Sequence, residues 1–172
     1  MRLLPVLLAA VTFATFAAHV SAADPKPEIA RDMAQPQAQN AVHTLRQIPE
    51  ACARLEGMFT GQAGEPYVFT VVRTSPQCQP RARFVDAAKA KPSASAGWIL
   101  NDVIRVPNAS CPSQQAVVQV WRKPGQAAPP KTDAQGRSRI YLEEQRQAAK
   151  SGNLAAVPQF AAQMAVEGQN CR

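Results

Sequence analysis

Past the first forty or so residues, apolar positions along the chain recur at two different spacings. Between Asn40 and Ile48, the residues Ala41, Val42, Leu45 and Ile48 stand at helical intervals, which predicts a short helix opened by Asn40 and stopped at Pro49. From Arg54 the period becomes two. Leu55, Gly57 and Phe59 alternate with Arg54, Glu56 and Met58, and the turn residues from Gly61 to Pro66 then predict a hairpin loop. Its second strand, Tyr67 to Thr74, is rich in β-branched and aromatic residues, with Tyr67, Phe69 and Val71 on one side and Val68, Thr70 and Val72 on the other. Arg81 to Asp86 alternates again, setting Arg81, Arg83 and Val85 against Ala82 and Phe84. Ala87 to Gly97 reads as a mobile loop or frayed helical turn. A fourth strand places Trp98, Leu100, Ile104 and Val106 on one face, with Ile99, Asn101, Val103 and Arg105 on the other; it ends in Pro107 to Pro112, and a fifth strand runs from Ala116 to Lys123.

The remainder is less regular. Pro124 to Gly136 reads as an exposed excursion, Arg137 to Leu142 as a short strand and Glu143 to Lys150 as a helix stopped at Gly152. Leu154, Val157, Phe160, Ala161 and Met164 fall three and four apart, predicting an amphipathic C-terminal helix from Asn153 to Glu167, kinked at Pro158. Taken together these elements predict an α+β fold: a mainly antiparallel five- or six-stranded sheet, with a short N-terminal helix and C-terminal helices packed on one face.

The two ends change the picture of where this domain works. Arg2, the apolar run to Ala18 and the small residues at Val20 to Ala23 read as a cleaved secretory signal over residues 1–23. Residues 24–39, with Pro25, Pro27 and Pro36, read as a flexible leader, leaving 40–172 as a single domain. No later stretch is apolar and long enough to span a membrane, so the expected location is the periplasm or the extracellular space. Losing Arg2 with the signal leaves 18 basic against 12 acidic residues, a net charge of +6. Such a balance favours acidic proteins and anionic envelope components as partners without choosing among them, and no motif indicates specific nucleic-acid recognition.

In an oxidising compartment Cys52, Cys78, Cys111 and Cys171 predict two disulfides; the wide spacings and the lack of a CxxC pair argue against a metal centre. A continuous antiparallel meander would gather Cys52, Cys78 and Cys111 at one end of the sheet. The expected pairing is Cys78 with Cys111 and Cys52 with Cys171, with Cys52–Cys78 as the rival.

Candidate chemistry is sparse. With the signal removed, His43 is the single histidine, expected on the surface of the N-terminal helix, and no GxSxG stretch occurs, so nucleophilic catalysis lacks its parts. No catalytic residue, cofactor or metal site is expected. The acids Glu56, Glu65, Asp86 and Asp102 leave a hydrolase using carboxylates alone as the alternative. Asp102 is out of pattern: it interrupts an apolar face, where a carboxylate needs either an arginine, such as Arg83 or Arg122, or a bulge that turns it to solvent. Arg73, Arg81 and Arg83, with Lys89 and Lys91 nearby, form a basic stretch opposed only by Asp86 and suited to an acidic partner. Tyr67, Trp98 and Trp121 read as core more readily than as sugar platforms, and Asn108-Ala109-Ser110 matches a glycosylation sequon that carries weight only in a eukaryotic host. The tentative binding residues are therefore Arg73, Arg81, Arg83 and Asp102. The expected function is an exported non-catalytic binding protein that recognises a protein partner, of inhibitor or protective type, or an anionic envelope polymer. A subunit that assembles through a strand edge is a third reading, and the sequence assigns no oligomeric state.

Overall fold

A computed structural model describes residues 25–125, 134, 151, 157–169 and 171. The expected signal segment lies outside the described residues, as do most of the Pro124–Gly136 excursion and the strand and helix expected from 137 to 150. Among the described residues seven strands form two sheets instead of one. The first sheet has the order β1 (His43–Ile48), β2 (Ala53–Phe59), β3 (Tyr67–Arg73), all antiparallel. The second has the order β4 (Arg83–Phe84), β7 (Gln159–Gly168), β6 (Cys111–Lys123), β5 (Ile99–Asn108), with β4 parallel to β7 and the other pairs antiparallel. Among the described residues helix is confined to short pieces, including α1 (Ala87–Ala90), whose first turn is capped by Asp86 through a bond from the Ala88 N–H. The described chain is thus a mostly β, two-sheet structure, which corrects the expected single sheet under helices.

One apolar cluster joins the sheets face to face. Leu45, Ile48, Ala53, Leu55, Phe59 and Tyr67 from the first meet Ile104, Val106, Ala116, Val118, Val120, Phe160 and Ala162 from the second. Each large aliphatic or aromatic side chain buried this way contributes about 1.5–3 kcal/mol. The second sheet is also covered on its outer face near α1, where Trp98, Leu100, Trp121 and Ala161 form a smaller cluster with Val85, Ala87 and Ala90.

Two β-bulges explain two departures from the sequence reading. In the first sheet Thr44 pairs with Glu56 and Arg46 with Leu55, so Leu45 is an extra residue. The buried residues of this strand, Leu45 and Ile48, therefore stand three apart, and a strand there imitates the spacing of a helix. In β5, Leu100 pairs with Trp121 and Asp102 with Val120, which makes Asn101 the extra residue. The bulge divides the face expected to be continuous: Trp98 and Leu100 join the outer cluster, while Ile104 and Val106 join the inner one. The expected C-terminal helix also gives way to strand, since Gln159–Gly168 pairs along its whole length with β6. Phe160, Ala161 and Ala162 are consecutively buried because this strand is covered on both faces, and such a run carries no period of two. Pro158 sits just before the strand, its carbonyl accepting a bond from the Arg83 N–H.

The residues expected as a flexible leader lie along the outer edge of β5. The N–H groups of Glu28, Ile29, Ala34 and Gln37 donate to the carbonyls of Leu100, Asn101, Arg105 and Pro107, each at 2.9 Å. A sheet edge offers backbone partners whatever the side chains, so a segment too polar to build a core is still held. The disulfides are Cys52–Cys78 and Cys111–Cys171, which corrects the expected pairing and matches its rival at the first bridge. The chain leaves the first sheet after β3. Cys78 consequently stays beside the start of β2, and Cys111, at the start of β6, meets the chain as it leaves the antiparallel neighbour β7.

Candidate functional site

Asp102 is fully buried, at 0% exposure, and the β5 bulge leaves it facing the inter-sheet core instead of solvent. Its partners are neither Arg83 nor Arg122. Arg31, from the N-terminal segment, donates from Nε to Oδ1 at 3.2 Å and from Nη2 to Oδ2 at 2.8 Å. Arg46, whose bulged position in β1 turns it inward, brings Nη1 to 3.3 Å from Oδ2 without hydrogen-bond geometry, so that nitrogen has no hydrogen-bond partner. Burial lowers the Arg46 pKa, and the Asp102 charge partly restores it. Beside this triad Glu28 accepts from Arg122 and from Asn101 Nδ2, and these bonds hold its carboxyl below the usual range. One carboxylate thus ties the first sheet, the second sheet and the N-terminal segment together. Arg31, Arg46 and Glu28 were not singled out in the sequence; the only signal for them was the demand of Asp102 for a counter-charge.

The basic residues have a different setting. Arg73 ends β3 and folds back over the following turn, donating from Nε to the Ser75 carbonyl at 2.9 Å and from Nη2 to those of Cys78 at 2.7 Å and Pro76 at 3.3 Å. Arg81 and Arg83 are exposed, and the chain between them is held to the first sheet's side by bonds from the Arg81 and Ala82 N–H groups to the Glu50 carbonyl. None of the three arginines forms an ion pair among the described residues. Arg73 and Arg83 line one open groove of about 340 Å³ at the Cys52–Cys78 end, where β3 of one sheet faces β4 of the other. Ala53, Val71, Ala82 and Phe84 give it an apolar lining. The groove exists because β4 is only two residues long and leaves the inward face of β3 uncovered: Tyr67 is buried but Val71, on the same face, is 41% exposed. Asp102 belongs to the core and does not join these arginines.

His43 lies half-buried on β1, not on a helix surface. Its Nδ1 donates to the Ala41 carbonyl, which leaves Nε2 to accept from the Tyr67 hydroxyl at 2.8 Å. Desolvation holds the His43 pKa below its ordinary value and raises that of Tyr67. Gly57 makes the close approach possible, since a Cβ there would stand 1.8 Å from the Tyr67 oxygen. Three of the carboxylates considered for hydrolysis are occupied separately, Glu56 with Arg54, Asp86 at the α1 cap and Asp102 in its triad, while Glu65 lies exposed in the β2–β3 loop, where its backbone carbonyl accepts from Thr60. No group of three metal-ligating side chains occurs among the described residues. No described helix is long and apolar enough to cross a membrane. Comparison with protein-family models, curated proteins and solved structures returns no match.

Proposed function

We propose that this chain is an exported, non-catalytic binding protein that recognises an acidic protein partner through the groove at its Cys52–Cys78 end. The observation that carries this reading is the pairing of an apolar lining with arginines that form no ion pair among the described residues, held on a sheet braced by a disulfide. Two disulfides fit an oxidising compartment. A long anionic polymer calls for a row of cations along a track, whereas a short groove with apolar walls suits a protein segment. The carboxylate-only hydrolase has less support, because Glu56, Asp86 and Asp102 are engaged in separate parts of the fold.

The test is affinity capture on the immobilised chain from residue 24 onward, against an envelope extract and the culture medium of the producing cells. An acidic protein should be retained by the wild type and lost by an Arg81→Glu, Arg83→Glu variant that melts at the same temperature. Equal retention by both would sink the proposal, and so would retention of sulfated glycan with no protein.

A further inference from the structure

Among the described residues the two sheets have four outer edges, and two of them are protected. The β5 edge is occupied by the N-terminal segment and β1 is broken by the bulge at Leu45, whereas β4 pairs only with Gln159 and Phe160 and leaves the rest of β7, which ends in Glu167 and Gly168, uncovered on that side. The fourth edge, β3, is regular over seven residues and has no partner on its outer side among the described residues. Its sequence, Tyr-Val-Phe-Thr-Val-Val-Arg, holds no proline and no charge before the terminal Arg73, so it lacks the devices by which exposed edges avoid pairing. The hydrogen-bond phase shows which groups are available. Thr60 N–H bonds the Pro66 carbonyl and Thr74 N–H bonds the Cys52 carbonyl, so even-numbered β3 residues pair with β2. The N–H and C=O groups of Tyr67, Phe69, Val71 and Arg73 therefore point outward.

We propose that β3 is the docking edge: an extended, acidic segment of the protein partner adds to the first sheet as a fourth strand and sets a carboxylate against Arg83. The occupant follows from chemistry. Four outward backbone pairs require an extended chain, the exposed Val71 and the Phe84 wall accept small apolar side chains, and Arg83 has no counter-ion in the described chain. This inference rests on the binding reading above and specifies its mode.

The probe is a short acetylated and amidated peptide of alternating glutamate and valine, titrated into the ¹⁵N-labelled protein while backbone amide exchange is followed. Saturation is expected to slow exchange at Tyr67, Phe69, Val71 and Arg73 at least tenfold. A lysine–valine peptide, and a glutamate–valine peptide N-methylated at alternate residues, should give no protection. Val71→Pro removes one outward donor without removing a β2–β3 bond, and should weaken binding about tenfold. Protection by the N-methylated peptide, protection elsewhere in the fold, or unchanged binding by a folded Val71→Pro variant would each overturn strand addition. Protection that grows with protein concentration without peptide would assign the edge to a second copy and likewise overturn it. If the glutamate–valine peptide leaves β3 unprotected while arginine-dependent capture of an acidic protein persists, this inference fails and the functional reading stands. If capture fails but the peptide protects β3, the edge adds strands but the functional reading fails, and the assignment of the edge to a protein partner falls with it.

Discussion

Replacing Asp102 by Asn removes one charge and almost no volume, so it isolates what the buried triad contributes. Arg31 donates to the carboxylate at 2.8 and 3.2 Å and Arg46 stands 3.3 Å away. At such separations each pair carries a gross attraction of about 5 kcal/mol at an effective dielectric constant near ~20, most of it offset by the cost of removing the ions from water. The variant keeps that desolvation cost for Arg46, whose side chain is 14% exposed, and leaves it facing Arg31 without the anion between them. Breaking a buried pair from one side costs about 3–5 kcal/mol, a large share of the ~5–15 kcal/mol that a typical domain has. With a urea slope of roughly 1–3 kcal/mol/M, the midpoint at pH 7 with disulfides intact should fall by about 1–5 M. The companion variant, Asp102→Leu with Arg31→Met and Arg46→Met, should return to within about 1 kcal/mol of wild type, because no charge remains to be solvated. A loss under about 1 kcal/mol for Asp102→Asn would refute the reasoning, showing that Arg46 reaches solvent when its partner is gone.

Three further outcomes are expected of this fold. The His43 pKa is depressed by burial, so between its folded value and about 6.5 the unfolded chain binds a proton that the folded chain does not; stability should be complete above about pH 6.5 and decline below it. In urea titrations His43→Gln should flatten that slope, and an unchanged slope would contradict the assignment. Gly57→Ala should cost about 1–3 kcal/mol by displacing the Tyr67 ring from His43, seen as loss of the His43–Tyr67 hydrogen bond by NMR together with a lower melting temperature. Replacing Cys111 and Cys171 by Ala opens a link spanning 60 residues and should cost about 4 kcal/mol, against about 3.5 for Cys52 and Cys78, which span 26. Calorimetry of both pairs would test that order.

The amino-acid sequence alone determined those features whose cause is local. Strands β2 and β3 and the loop between them were legible because alternating, β-branched residues and a run of turn residues act within a few positions. The presence of two disulfides followed from four cysteines and their spacing, and the need of Asp102 for a partner followed from its place on an apolar face. What only the tertiary structure decided has a common physical origin in pairing between distant segments. A one-residue bulge changed the period around Leu45 and split the faces of β5 at Asn101; the register that creates a bulge belongs to two strands at once. Residues Gln159–Gly168 became strand because β6 and β4 offered a ladder on each side, which outweighed a spacing that reads equally well as helix. The partners of Asp102 came from positions 71 and 56 residues away, and whether a segment returns to the outer edge of β3, as none does among the described residues, is likewise a matter of long-range pairing. Side-chain pattern reports which face of a segment prefers burial, while the identity of its neighbour is settled by backbone hydrogen bonds common to every sequence.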